Sequence, residues 1–228
     1  MSDIAVVDYG MGNLYSVAKA LEHVAAGKVV TVTDDPAILS SASRVVFPGQ
    51  GAMPDCMREM DARGLRAPLL EAARSKPFLG LCIGLQMLFE SSEEGGVEGL
   101  GILPGKVVRF PAERMAGEGG EKLKVPHMGW NQVFQAMSHP MWEGIPDGSR
   151  FYFVHSYYVD TREQTLVAGT ARYPFSFTCA VARNNIFAVQ FHPEKSQSAG
   201  LRLLSNFVSW DGTNRACGQR RAIPTASA

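Results

Sequence analysis

The stretch Pro77-Phe78-Leu79-Gly80-Leu81-Cys82-Ile83-Gly84-Leu85-Gln86-Met87-Leu88-Phe89-Glu90 decides how this chain is read. It opens as a short apolar run after Lys76-Pro77, the pattern of a buried strand. It continues through Leu85, Met87, Leu88 and Phe89, which predict a helix with an apolar face. Between the halves stands Gly80-x-Cys82-x-Gly84, with small residues two positions either side of a thiol. A sharp strand-to-helix turn cannot carry bulk beside the residue at its apex, and this spacing is that of a nucleophile elbow. Cys82 would then sit at a helix N-terminus, where unpaired N–H groups and the helix dipole favour thiolate over thiol. The same N–H groups can hold a tetrahedral oxyanion, each donor contributing roughly 3 kcal/mol. A buried structural cysteine fits such a run too, and the stretch alone leaves the two readings even.

A chain of 228 residues can form one α/β domain with a full core. The 46% hydrophobic and 19% charged residues are those of an ordinary soluble globular protein. Net charge is +0, and Lys and Arg do not cluster before the last few residues, which argues against nucleic acid or an anionic membrane as main partner. Cys56, Cys82, Cys179 and Cys217 are widely spaced without a C-x-x-C pair, so a reducing compartment is expected rather than a disulfide or zinc framework. Asp3 and Asp8 flank a very short first apolar run, and no apolar stretch is long enough to span a bilayer. The expectation is a cytoplasmic protein with no metal and no cofactor.

Outward from the elbow, strands are expected at 4–8, 29–32 and 44–47, with helices over about 14–26 and over 52–74, the latter broken near Gly64 and Pro68. Gly10-x-Gly12 follows the first strand, but Tyr15 takes the third glycine position, which disfavours a dinucleotide site. Pro48-Gly49-Gln50-Gly51 leaves the third strand as a loop whose backbone can approach a ligand closely and supply a second oxyanion donor. Strand–helix alternation predicts a mostly parallel central sheet flanked by helices. Glu93-Glu94-Gly95-Gly96 reads as the acidic end of the elbow helix, offering a carboxylate for an ammonium group.

The second half is expected to add an antiparallel portion. It holds a short strand at 106–110, a polar mobile loop at 112–121 and a loop at 124–131 carrying His127, Met128 and Trp130. An aromatic strand at 151–159, a strand at 166–170 and a hairpin (177–182 with 186–191) follow, then a helix over about 196–210. Residues 1–211 read as one domain, and 212–228 as a tail without apolar periodicity, expected to be disordered.

The hairpin ends in His192-Pro193-Glu194, at a strand end where an α/β sheet presents functional groups. Residues two apart in extended chain point the same way, so Glu194 can lie beside the imidazole and orient it. A thiol on an elbow, a histidine and a carboxylate make a nucleophile, general base and orienter. That chemistry stops at acyl transfer and does not name the acyl donor.

Together, Pro48-Gly49-x-Gly51, Gly80-x-Cys82-x-Gly84-x-Gln86 and His192-Pro193-Glu194 resemble the class I (triad) glutamine amidotransferases, whose architecture is flavodoxin-like. Asp8-Tyr9-Gly10-x-Gly12-Asn13-Leu14, Pro126-His127-Met128-Gly129-Trp130-Asn131 and His155-Ser156-Tyr157-Tyr158 are similar to the glutaminase subunits of imidazole glycerol phosphate synthases, in histidine biosynthesis. The resemblance runs to about residue 210; Gln50 departs from the small apolar residue of many relatives, and the tail has no counterpart. It implies L-glutamine as substrate, with Cys82, His192 and Glu194 catalytic and N–H groups of Ile83 and of Gly49–Gln50 as the oxyanion site. Gln86, Glu94, Ser156 and Tyr157 would bind glutamine, Glu94 taking the α-ammonium. The partner would be a (β/α)8-barrel cyclase that receives the ammonia in a heterodimer, faced by Asn13, Trp130 and Lys195. Alternatives are another free-standing glutaminase, such as the subunit serving pyridoxal phosphate synthesis, or a thiol peptidase or hydrolase. The former should lack the 127–131 motif.

Overall fold

A computed structural model describes residues 2–25, 27–117 and 122–214. Part of the loop expected to be mobile (118–121) and most of the expected disordered tail (215–228) lie outside the described residues. The first half alternates as expected: β1 (Ile4–Val7), α1 (Leu14–Val24), β2 (Val30–Thr33), α2 (Pro36–Ser41), β3 (Arg44–Gly49), α3 (Met53–Ala62), α4 (Arg66–Ser75) and β4 (Phe78–Cys82). Every residue of β1 and β4 is buried, which is why they read as continuous apolar runs rather than alternating ones. Asn13 caps α1 by accepting from the Ser16 N–H, and Asp35 caps α2 just before Pro36. The long helical region breaks at Gly64, whose φ of 67° no helix accommodates, while Pro68 sits in the first turn of α4.

Beyond the elbow the chain departs from expectation. The helix is a single turn, α5 (Ile83–Gln86), and Phe89–Ser92 forms β5. Leu85, Met87, Leu88 and Phe89 are all fully buried, leaving no solvent face for an amphipathic helix to continue. The carbonyls of Met87 and Leu88 instead accept from the N–H groups of Leu100, Ile102 and Leu103. Glu93–Gly96 is therefore the turn between β5 and β6 (Val97–Glu98), not a helix end. After β7 (Leu103–Arg109), the expected 124–131 loop is largely strand β8 (His127–Gln132), followed by β9 (Phe134–Gln135). The inward positions of β8 hold His127, Gly129 and Asn131, so its alternation carries no apolar signal. The aromatic run divides at Ser156 into β10 (Arg150–His155) and β11 (Tyr157–Thr161), which join different sheets. Then come β12 (Val167–Arg172), β13 (Ser176–Arg183), β14 (Ile186–Val189) and α6 (Gln197–Ser209).

The main sheet runs β2-β1-β3-β4-β14-β13-β11-β7-β5-β6. Its first five strands are parallel, and from β13 onward the pairing is mostly antiparallel, with β12 and β9 attached to β13. A separate two-stranded sheet pairs β8 with β10. One cluster of buried side chains packs α1 and α6 against one face, and another packs α3 and α4 against the other. β4 lies between β3 and β14, so Cys82 emerges at the C-terminal sheet edge next to the loop after β3 and the segment after β14. Parallel α/β sheets bind ligands at this edge.

Candidate active site

Cys82 sits at the apex of the elbow with φ 54° and ψ −109°, a backbone that only over-determined surroundings hold in a non-glycine residue. Its neighbours explain the glycines. A Cβ at Gly84 would fall on the carbonyl of Phe47, and one at Gly80 would lie 2.9 Å from the Ala188 Cβ. Gly49, paired with Cys82 across the ladder, has the Tyr9 hydroxyl and Ile83 against it. One helical turn supplies little dipole, so the expected electrostatic support for a thiolate comes chiefly from elsewhere.

It comes from the segment after β14. His192 Nδ1 donates to Glu194 Oε1 at 2.8 Å, with the carboxylate side chain only 2% exposed. The pair is brought together by a 3-10 turn over Pro193–Lys195 rather than by the extended chain expected. Burial pushes the His192 pKa down, but the neighbouring Cys82 and Glu194 outweigh it and hold the imidazole up at about 10. His192 Nε2 is buried without a direct hydrogen bond. His192 is thus held as an imidazolium facing the Cys82 sulfur, the partner a thiol nucleophile needs. Since Cys82 is the largest raising influence, Cys82→Ala should move the His192 titration far below pH 10, burial then being opposed only by Glu194. In imidazole NMR the wild-type ring stays charged through pH 8 and loses its proton as pH rises towards 10; the variant's ring is neutral by pH 8.

Gln190, which the sequence reading missed, joins the two halves of the site. Fully buried, it donates from Nε2 to Cys82 Sγ at 3.7 Å and accepts on Oε1 from Gln86 Nε2 at 3.0 Å. The signal available was a polar residue inside the apolar run Ile186–Phe191, two positions before His192.

A cleft of about 290 Å³ opens over Cys82 and His192, lined also by Gln50, Ile83, Gln86, Glu94, Ser156 and Tyr157. The structure therefore gathers every proposed substrate-side residue except Gly49, which is buried one step behind. Gln86 Nε2 also reaches the Tyr157 carbonyl at 3.3 Å, leaving its Oε1 buried and unpaired. Glu94 is held at the rim by accepting the Met53 N–H at 2.8 Å. The loop after β3 is pinned on both sides: the Tyr9 hydroxyl donates to the Pro48 carbonyl at 2.8 Å and the Cys56 thiol to the Gln50 carbonyl at 3.5 Å. Burial pushes the Cys56 thiol up to about 11, so it remains a donor. On the outer rim, Trp130 and Lys195 share Tyr152, lying 6.1 Å and 6.0 Å from its ring. α1, capped by exposed Asn13, packs against the turn that carries Lys195. No group of three His, Cys, Asp or Glu side chains among the described residues is placed to hold a metal ion.

A strained elbow thiol and a charged imidazole backed by a buried carboxylate, opening on one cleft, are the arrangement of a thiol enzyme of the acyl-transfer class. The profile for "Glutamine amidotransferase class-I" matches residues 5–210. The chain is 69% identical over 210 residues (92% of this chain, 99% of the relative) to "Imidazole glycerol phosphate synthase subunit HisH" of Aromatoleum aromaticum. It is 67% identical over the same length (92% and 99%) to the protein of that name in Nitrosospira multiformis. The chain belongs to the class I glutamine amidotransferase family, and within it to the HisH subunits. The glutaminase domain of Trypanosoma brucei CTPS has the same fold, with TM-score 0.62 at 18% identity over 92% of this chain and 95% of that one. No helix among the described residues is long and apolar enough to cross a membrane.

Proposed function

We propose that the chain is the glutaminase subunit of an imidazole glycerol phosphate synthase, hydrolysing L-glutamine and passing the ammonia to a (β/α)8-barrel cyclase in the cytoplasm. The observation that carries the chemistry is the convergence of Cys82, His192 and Glu194 on one cleft. The Cys82 thiolate attacks the carboxamide carbon, and the N–H groups of Ile83 and of the Gly49–Gln50 segment take the oxyanion. His192, already protonated, delivers its proton to the departing ammonia; the neutral ring then activates water against the thioester, with Glu194 holding its orientation. Glu94 receives the α-ammonium at the rim, while Gln86 and the Ser156–Tyr157 backbone position the rest of the amino acid. The class I glutamine amidotransferase match over residues 5–210 and the 69% identity to a HisH subunit favour this reading over a thiol peptidase.

Asn13, Trp130 and Lys195 occupy the rim as a partner surface. The Trp130 ring is 40% exposed and its strand neighbour Met128 62% exposed, an aromatic and thioether pair suited to a protein interface. Mixed with the barrel cyclase, the chain should elute as a 1:1 complex, and glutamate release should rise at least about tenfold over the isolated chain. Cleavage of peptides, or no complex at micromolar concentration, would sink the proposal.

A further inference from the structure

Two buried histidines take no part in the mechanism above: His155 lines the glutamine cleft, and His127 is packed against it from behind. His127 on β8 and His155 on β10 face one another directly across the two-stranded sheet, and His127 Nδ1 is 2.9 Å from His155 Nε2. His155 Nδ1 is 2.7 Å from the Tyr157 carbonyl, and His127 Nε2 is 3.2 Å from Asn131 Nδ2.

The proton positions follow from either end. A carbonyl only accepts, so His155 carries its hydrogen on Nδ1. Burial holds His155 neutral, its pKa pushed down to about 3, and His127 likewise at about 4, so each ring has one donor and one acceptor. His155 Nε2 must then accept from the His127 Nδ1–H, leaving His127 Nε2 to accept. At the other end, the Asn131 amide has its oxygen engaged by the Gln132 N–H, and its nitrogen donates to the Arg172 carbonyl. That fixes Asn131 Nδ2 as the donor to His127, the same answer. The rings cannot drift, because His127 is stacked 4.1 Å from Tyr173 and 5.0 Å from Phe153.

We propose that His155 is a positioning residue: the one-way chain of hydrogen bonds from Asn131 through His127 fixes its proton on Nδ1, and the bond that Nδ1–H gives to the Tyr157 carbonyl holds the glutamine-binding wall in place. The Tyr157 carbonyl is also an acceptor for Gln86, which reaches Cys82 through Gln190, so the chain's last bond sets groups that touch the cleft. β8 carries Met128 and Trp130 on its other face, so the same strand that meets solvent there is tied to the wall from behind. The inference rests on the reading of the cleft as a glutamine site.

The two ends of the His155 ring can be tested separately in the assembled synthase. His155→Asn keeps a donor where Nδ1 stood and loses the acceptor for His127; His155→Gln keeps that acceptor and loses the bond to Tyr157. His155→Gln should raise the KM for glutamine about tenfold with kcat changed less than threefold, the cost of one buried hydrogen bond. His155→Asn should keep KM within about threefold of the parent. A role confined to packing would shift both KM values equally or neither, and either result overturns the proposal. Should both variants fail to fold, long-range 1H–15N correlations on the parent chain decide, since both rings must carry their proton on Nδ1. Parent synthase that releases no glutamate from glutamine would sink the functional reading instead; parent turnover with an unmoved KM in His155→Gln would sink the relay.

Discussion

Cys82→Ala should lower glutamine-dependent product formation at least about 10⁴-fold while leaving ammonia-dependent formation by the proposed cyclase partner unchanged. The first half follows from covalent catalysis: without sulfur no thioester forms, and His192 has no leaving group to protonate. Removing a nucleophile typically forfeits nearly all that its coupled residues contribute together. The second half follows from the direction of transfer, since ammonia supplied in solution bypasses this chain's cleft. Glutamate release and cyclised product, measured side by side with glutamine and with an ammonium salt, separate the two. Retained use of glutamine would show that Cys82 is not the nucleophile. Because Cys82 is small and sits at φ 54°, alanine changes little volume there, and thermal denaturation should confirm that the fold survives.

Gly84→Ala should be the most damaging one-carbon change near the site. The added Cβ would land on the Phe47 carbonyl, and both partners are backbone: Gly84 in the elbow turn, Phe47 within β3. No side-chain rotation relieves such an overlap, so β3 and β4 must separate at the point where Gly49 pairs with Cys82. Overpacking of this kind costs about 3 kcal/mol, which in a chain of this size lowers Tm by about 6–12 °C. Activity should fall further than stability implies, because the strands that separate carry both the thiol and the oxyanion loop. Gly96→Ala serves as the control, since nothing lies within 4 Å of its Cβ, although its φ of 63° adds modest strain. A Gly84→Ala chain with unchanged Tm and activity would contradict the elbow geometry.

Where a structure-forming signal was local, the sequence carried it. The elbow glycines, the apolar runs of β1, β3 and β4, and the His192-Pro193-Glu194 segment each announce themselves within a few residues. Misreadings arose where a residue's state depends on what lies across from it. Leu85, Met87, Leu88 and Phe89 have helical propensity, but burial on all sides and hydrogen bonds from Leu100–Leu103 end the helix after one turn. β8 lacks apolar alternation because its inward residues are polar groups satisfied by other strands. Gln190 was hidden for the same reason, its partners lying more than a hundred residues away.

The chain by itself determined that a thiol would stand on a tight turn after a buried strand and that a histidine and a carboxylate would close a later one. Those are matters of spacing, of glycine's missing side chain and of strand periodicity. Only the tertiary structure decided that β14 lies beside β4, which is what puts the imidazole against the sulfur and charges it. Strand order is set by how the whole chain buries its apolar faces, and no short stretch contains that information.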